Sequence, residues 1–168
     1  VPSSDVGGDY FDFVEGEGTM LTVGLGDVAG KGMPAALMMT NLHASVRAHV
    51  ESEPRLPIVM ARLNRSIHKA VRGERFITLV LIAIDTATGA GRYVNAGHNP
   101  PFFIRASGEI DVLSIGGLLL GMFPEAGYES AAFHMGPGDV LRLYSDGVTY
   151  AHAEQIDEFG EERLAAVL

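Results

Sequence analysis

Three aspartates, each beside glycine at the end of a strand-like run, are the residues of this chain best placed to do chemistry. Asp27 stands in Gly24-Leu-Gly-Asp27-Val-Ala-Gly30-Lys31-Gly32-Met-Pro34, where a hydrophobic run delivers a carboxylate into a glycine-rich turn and then starts a helix. Asp9 follows Val6-Gly-Gly, and Asp146 stands in Leu143-Tyr-Ser-Asp146-Gly147-Val148. Each alone also reads as a turn residue, because Asp accepts local backbone hydrogen bonds and Gly tolerates positive φ. Together the three corners suggest one oxygen-rich site. Carboxylates brought close repel and resist ionisation unless a cation sits between them. Oxygen donors without His or Cys select Mg²⁺ or Mn²⁺ over zinc. A two-metal site of this kind lowers the pKa of a shared water for attack on phosphorus, and so needs no side-chain nucleophile.

Other constellations carry less. Gly26 to Lys31 superficially resembles a phosphate loop, but three residues separate Gly26 from Gly30 where four are needed. Gly32 also stands in place of the magnesium-binding Ser or Thr. A nucleoside triphosphatase is excluded on that ground. Lys31 could attract a substrate phosphate or simply be a solvated turn lysine. His98, in Asn95-Ala-Gly97-His98-Asn99-Pro100-Pro101, could move protons or orient substrate, or could merely brace the proline turn. His43, His49 and His68 lack ligand spacing and read as surface or core filling. Met33, Met38 and Met39 read as core, and the series Arg62, Arg65, Lys69, Arg72, Arg75 as one solvated helix face.

Composition narrows the classes further. The 168 residues suit a single domain, residues 1–168, and the lack of an initial Met together with an end inside a helical pattern reads as a piece of a longer protein. Acidic residues outnumber basic ones 21 to 12, a net charge of −9, and no basic run occurs. That argues against a nucleic-acid partner. Cysteine is absent, which removes disulfides, thiolate metal sites and cysteine nucleophiles and suits a cytoplasmic location. Mean hydropathy is +0.19, yet no apolar run approaches the roughly eighteen residues of a membrane span.

The elements that must position the aspartates follow from periodicity. Asp9–Val14 is strand-like, Glu15-Gly-Glu-Gly18 is a hairpin turn, and Met20–Asp27 alternates with Leu21, Val23 and Leu25 as its expected buried face. Pro34 suits a helix's first turn. Ala35, Met38/Met39, Leu42, Val46 and Val50 then recur at helical steps. A second helix carries Met60, Leu63, Ile67 and Val71 and ends at Gly73. Phe76–Ile84 is almost wholly aliphatic, as in a strand covered on both faces. Strands are expected at 91–96, 101–105, 110–113, 128–134 and 140–144, with a short helix from Glu161. The pattern is an α+β chain, with sheet packed on sheet and helices outside.

In family order and over nearly its whole length, the chain resembles PPM-type metal-dependent serine/threonine phosphatases of the bacterial SpoIIE/RsbU branch. The matching stretches are Val6-Gly-Gly-Asp9-Tyr-Phe-Asp12-Phe13, Gly26-Asp27-Val28 through Met38, Phe76-Ile-Thr78-Leu, Ala96-Gly97-His98-Asn-Pro100-Pro101, Pro137-Gly138-Asp139 and Tyr144-Ser-Asp146-Gly147-Val148. The resemblance implies an αββα sandwich of two antiparallel sheets flanked by helices, with two Mn²⁺ or Mg²⁺ ions in the cleft between the sheets. Asp27 would bridge both ions and Asp146 would bind one. Asp9 would serve the other, with the Val28 carbonyl completing it. The implied substrate is phosphoserine or phosphothreonine on a STAS-domain anti-sigma-factor antagonist. An upstream sensor and a second copy of the domain are further implied partners. The alternative is a non-catalytic module of the same fold that binds the antagonist without hydrolysis.

The chain departs from the pattern in three ways. A terminal strand bearing a further metal-binding Asp is expected beyond Leu168, Asp157 being the nearest residue but lying in a connector. A strand is expected before Val1, covering an otherwise open edge. Ser145 and Tyr150 stand where the family usually has Thr and Glu.

Overall fold

The computed structural model describes residues 8–71 and 75–149; Asp157, Tyr150, Gly73 and the helix expected from Glu161 lie outside them. The hairpin that opens the fold joins β1 (Asp9–Glu15) to β2 (Met20–Val28) through Gly18, whose positive φ of 64° suits glycine. Two helices follow, α1 (Met33–Ser52) and α2 (Leu56–Val71). Pro34 lies in the first turn of α1, as its missing N–H allows. Strand β3 (Ile77–Asp85) then runs between β2 and β4 (Ala90–Ala96). Its central place explains its unbroken aliphatic sequence, since Leu79, Val80, Leu81 and Ile82 are all fully buried.

A second, three-stranded sheet has the order β6-β5-β9, from β5 (Phe102–Ile104), β6 (Ile110–Val112) and β9 (Val140–Arg142). Strands β7 (Gly116–Gly117) and β8 (Ala131–His134) both join β4 in the first sheet, and α3 (Asp146–Thr149) is a single turn after β9. The pairings are antiparallel apart from the short parallel one of β4 with β7. Two glycines carry no side-chain pattern, so β7 is invisible to periodicity.

Each face of the large sheet has its own core. Toward the helices, Tyr10, Val28, Leu79 and Leu81 pack with Leu42, Val46, Met60 and Leu63. Toward the small sheet, Val80, Ile82 and Tyr93 pack with Phe103 and Leu113, with Leu25 and Leu141 at the margin. This reverses part of the expectation for β2. Its small-residue face of Thr22, Gly24 and Gly26 is the buried one, whereas Leu21, Val23 and Leu25 are half-buried. The helical layer presses Tyr10, Leu79 and Leu81 onto the small residues, and a side-chain carbon at Gly24 would meet Tyr10 at 3.0 Å and Leu81 at 3.1 Å. The opposite face is only partly covered, leaving an apolar cavity of about 520 Å³ between Phe11, Phe13, Val23, Leu25, Val140 and Leu143.

Candidate metal centre

Strand register brings the first two aspartates together. Asp9 is the cross-strand partner of Asp27, and Asp27 in turn is that of Thr78 on β3. Side chains directly opposite across antiparallel strands share a face, so Asp9, Asp27 and Thr78 form one transverse row at one end of the sheet. By the alternation of β2 that is the face of Val23 and Leu25, turned toward the small sheet. The third aspartate arrives from that sheet. The chain leaves β9, Tyr144 stacks on Phe102 with ring centroids 5.4 Å apart, and the Ser145 hydroxyl donates to Asp9 Oδ2 at 3.4 Å. Asp146 follows as the first residue of α3.

Electrostatics report the same convergence. The Asp27 carboxyl is pushed above the usual carboxylate range, first by burial and then by the negative charges of Asp146 and Asp9. Among the described residues no group of three or more His, Cys, Asp or Glu side chains forms a finished metal cage. The structure instead holds an Asp9/Asp27 pair in register and a third carboxylate near enough to perturb it.

The residues present fit divalent cations. The donors are all oxygen, and like charges crowd a half-buried carboxyl that a cation would relieve. Gly8 leaves open a cradle beside them. A side-chain carbon there would stand 2.7 Å from the Val28 carbonyl oxygen and 3.1 Å from Asp27 Oδ1, so the Val28 oxygen and the Asp27 carboxylate border one space. Val28 N–H is meanwhile anchored on the Gly8 carbonyl at 3.1 Å.

The surrounding residues fall into place less uniformly. His98 is 5% exposed, and its Nδ1 lies 2.9 Å from Thr78 Oγ1. Burial lowers its pKa, against the Tyr144 carbonyl and then Asp9 and Asp146, which favour the proton. Asp12, three residues beyond Asp9 on the helix-facing side of β1, is held by the Arg47 guanidinium of α1 at 2.7 and 2.8 Å, with His43 Nε2 at 3.3 Å. His68 Nδ1 lies 2.7 Å from the Gly121 carbonyl, which suits a structural role. The arginine series is not one helix face. Arg62 approaches Glu53 at 3.7 Å, while Arg75 lies beyond α2 and donates from Nη1 to the Ala29 carbonyl at 3.3 Å, beside the turn that follows Asp27. A side-chain carbon on Gly30, where φ is 112°, would run into that guanidinium. Thr78, Ser145 and Gly8 carry no chemical signal as isolated letters. Only register and burial bring them to the aspartates.

The family model described as Stage II sporulation protein E (SpoIIE) matches residues 17–168. Among curated proteins, the phosphoserine phosphatase RsbU of Bacillus subtilis is 31% identical over 155 residues, which is 92% of this chain and 46% of RsbU. The chain thus spans less than half the length of that relative. Among solved structures, the SiaA-PP2C domain of Pseudomonas aeruginosa superposes with a TM-score of 0.78 at 22% identity, covering 95% of this chain and 64% of that one. RsbX in complex with magnesium superposes with a TM-score of 0.67 at 20% identity, covering 85% of this chain and 68% of that one. These likenesses establish a PP2C-like fold, and by the match over most of its length the chain belongs to the SpoIIE family.

Proposed function

We propose that this domain is a divalent-metal-dependent phosphoprotein phosphatase acting on phosphoserine or phosphothreonine, with a STAS-domain anti-sigma-factor antagonist as substrate in cytoplasmic partner-switching signalling. The observation that carries the reading is the Asp9/Asp27 pair in register, with the Asp146 segment drawn onto it through Ser145. Kinship with an RsbU named as a phosphoserine phosphatase supports the reaction class, and the magnesium complex of RsbX supports the choice of a hard cation.

Asp9, Asp27, Asp146 and the Val28 carbonyl would hold the ions, Mn²⁺ or Mg²⁺. When bound, such ions neutralise phosphoryl oxygens and lower the pKa of water. The chain's own part is placement. The β1–β2 ladder fixes the separation of Asp9 and Asp27, burial of β2 holds the Asp27 carboxyl toward the small sheet, and Ser145 ties the third segment to the pair. With no cysteine in the chain and no need for a side-chain nucleophile, phosphate would pass directly to water.

The experiment is phosphate release from a phosphorylated STAS protein with Mn²⁺, with chelator, and with Asp27→Asn. The reading expects release only with metal and a fall of about a hundredfold or more in the variant. Metal-independent release, or full activity of Asp27→Asn, refutes it. The second reading, a module that binds the antagonist without hydrolysis, draws on the lack of a finished three-residue cage among the described residues. Antagonist binding without phosphate release at saturating Mn²⁺ would establish it.

A further inference from the structure

His98 bonds a residue of the row that carries Asp27 and Asp9. Its backbone is fixed first. The His98 N–H donates to Asn95 Oδ1 at 2.8 Å, and Asn95 Nδ2 donates back to the His98 carbonyl at 2.9 Å, so the side chain of a buried β4 residue clamps the loop. Gly97, with φ of 71°, supplies the left-handed turn that swings the imidazole back over the sheet. The ring then meets Thr78 at 2.9 Å. The Tyr144 backbone and the carboxylates of Asp9 and Asp146 lie near enough to act on the ring electrostatically.

A hydroxyl both donates and accepts, so the Thr78 contact holds Nδ1 in either tautomer. Nε2 is buried and has no hydrogen-bond partner. A buried polar atom of this kind costs free energy until it is satisfied. The contacts run from residue to residue. Asp27 is opposite Thr78, Thr78 bonds His98, Asp9 is opposite Asp27, and Ser145 bonds Asp9.

We propose that His98 is a positioning residue of the metal centre: clamped by Asn95, it holds the Thr78 hydroxyl in the row of Asp27 and Asp9 and so governs how those carboxylates stand. The inference rests on the metal-centre reading above and assigns His98 no contact with substrate. A brace that merely stabilised the loop would leave ion affinity unchanged in folded protein. One that spaces the carboxylates must alter it, because partners behind metal ligands typically govern affinity by about 10–100-fold.

The test is the Mn²⁺ dissociation constant, read by electron paramagnetic resonance of free Mn²⁺ well below each variant's Tm, for wild type, His98→Gln, Thr78→Val, Thr78→Ser and the His98→Gln/Thr78→Val double variant. The expected result is about tenfold weaker binding for His98→Gln and for Thr78→Val. Thr78→Ser should bind within twofold of wild type, and the double variant no worse than the weaker single one, because both substitutions open the same bridge. Affinity within twofold of wild type in Thr78→Val, or in folded His98→Gln, overturns the proposal, as does a double variant whose loss is the product of the two single losses. Should His98→Gln fail to fold, the Thr78→Val and Thr78→Ser pair decides by itself. Wild type that binds no Mn²⁺ overturns the metal-centre reading, a different outcome from wild type that binds and variants that bind equally well.

Discussion

At Asp27 folding and function pull in opposite directions. Burial and two neighbouring carboxylates raise its pKa in the folded chain. The fold therefore takes up this proton at higher pH than the unfolded chain, whose value lies near 4. The sign follows directly. The contribution favours folding below the unfolded pKa and is lost as pH rises through the folded one, so at neutral pH the ionised carboxylate opposes folding. Asp27→Asn should raise Tm by a few degrees at pH 7 in chelator while cutting phosphate release in the presence of Mn²⁺, and a lower Tm would contradict this. Asp12 behaves in the opposite sense. Its pKa is lowered, chiefly by the hydrogen bonds from Arg47, so its contribution is present above about pH 4 and is lost as pH falls through the lower folded value. Arg47→Met should lower Tm by several degrees at pH 7, a difference that shrinks as the pH drops below 4; a pH-independent difference would contradict the ion-pair account. Both aspartates are visible as letters beside glycine or aromatic residues. That one stands opposite Asp9 and the other pairs with an arginine 35 positions away depends on strand alternation, which sends Asp9 and Asp12 to opposite faces of β1.

Among the elements, β2 is shaped by what presses on it. Gly26 lies directly opposite Leu79, and a side-chain carbon there would stand 2.5 Å from the Thr78 carbonyl oxygen. Overpacking against backbone cannot be relieved by rotamer change. Gly26→Ala is therefore expected to cost about 1–3 kcal/mol, read as a lower urea midpoint at unchanged slope. A neutral result would mean that β2 and β3 are free to separate. The helical periods of α1 and α2 and the aliphatic run of β3 are legible in the sequence because each depends on its own residues. The more buried face of β2 is not. Alternation shows that two faces differ, but which face is deeper is decided by partners such as Tyr10 and Leu81 from other strands. Likewise the buried Asn64 on α2 looks like a polar interruption of an apolar face, until its side chain is seen to accept from Gly121 N–H at 2.8 Å and donate to the Phe123 carbonyl at 2.7 Å.

Across the whole molecule, the aspartates belong to segments far apart in sequence that meet only when two sheets pack. Residues 9 and 27 come from one hairpin, while residue 146 follows β9, a strand of the small sheet. A cation held by all three would therefore link the sheets, and any ligand that binds only the folded state raises its stability, by about 2.7 kcal/mol at a hundred times its dissociation constant. The family motifs make the three positions legible in the sequence. Their spacing in the fold depends on strand register and on contacts such as that of Ser145 with Asp9, which a linear pattern does not reveal. The most direct test of the account is a calorimetric Mn²⁺ titration of wild type and of Asp9→Asn, Asp27→Asn and Asp146→Asn. The account predicts saturable binding by wild type and at least tenfold weaker binding in each variant. Wild type that takes up no Mn²⁺, or variants that bind as tightly as wild type, would contradict it.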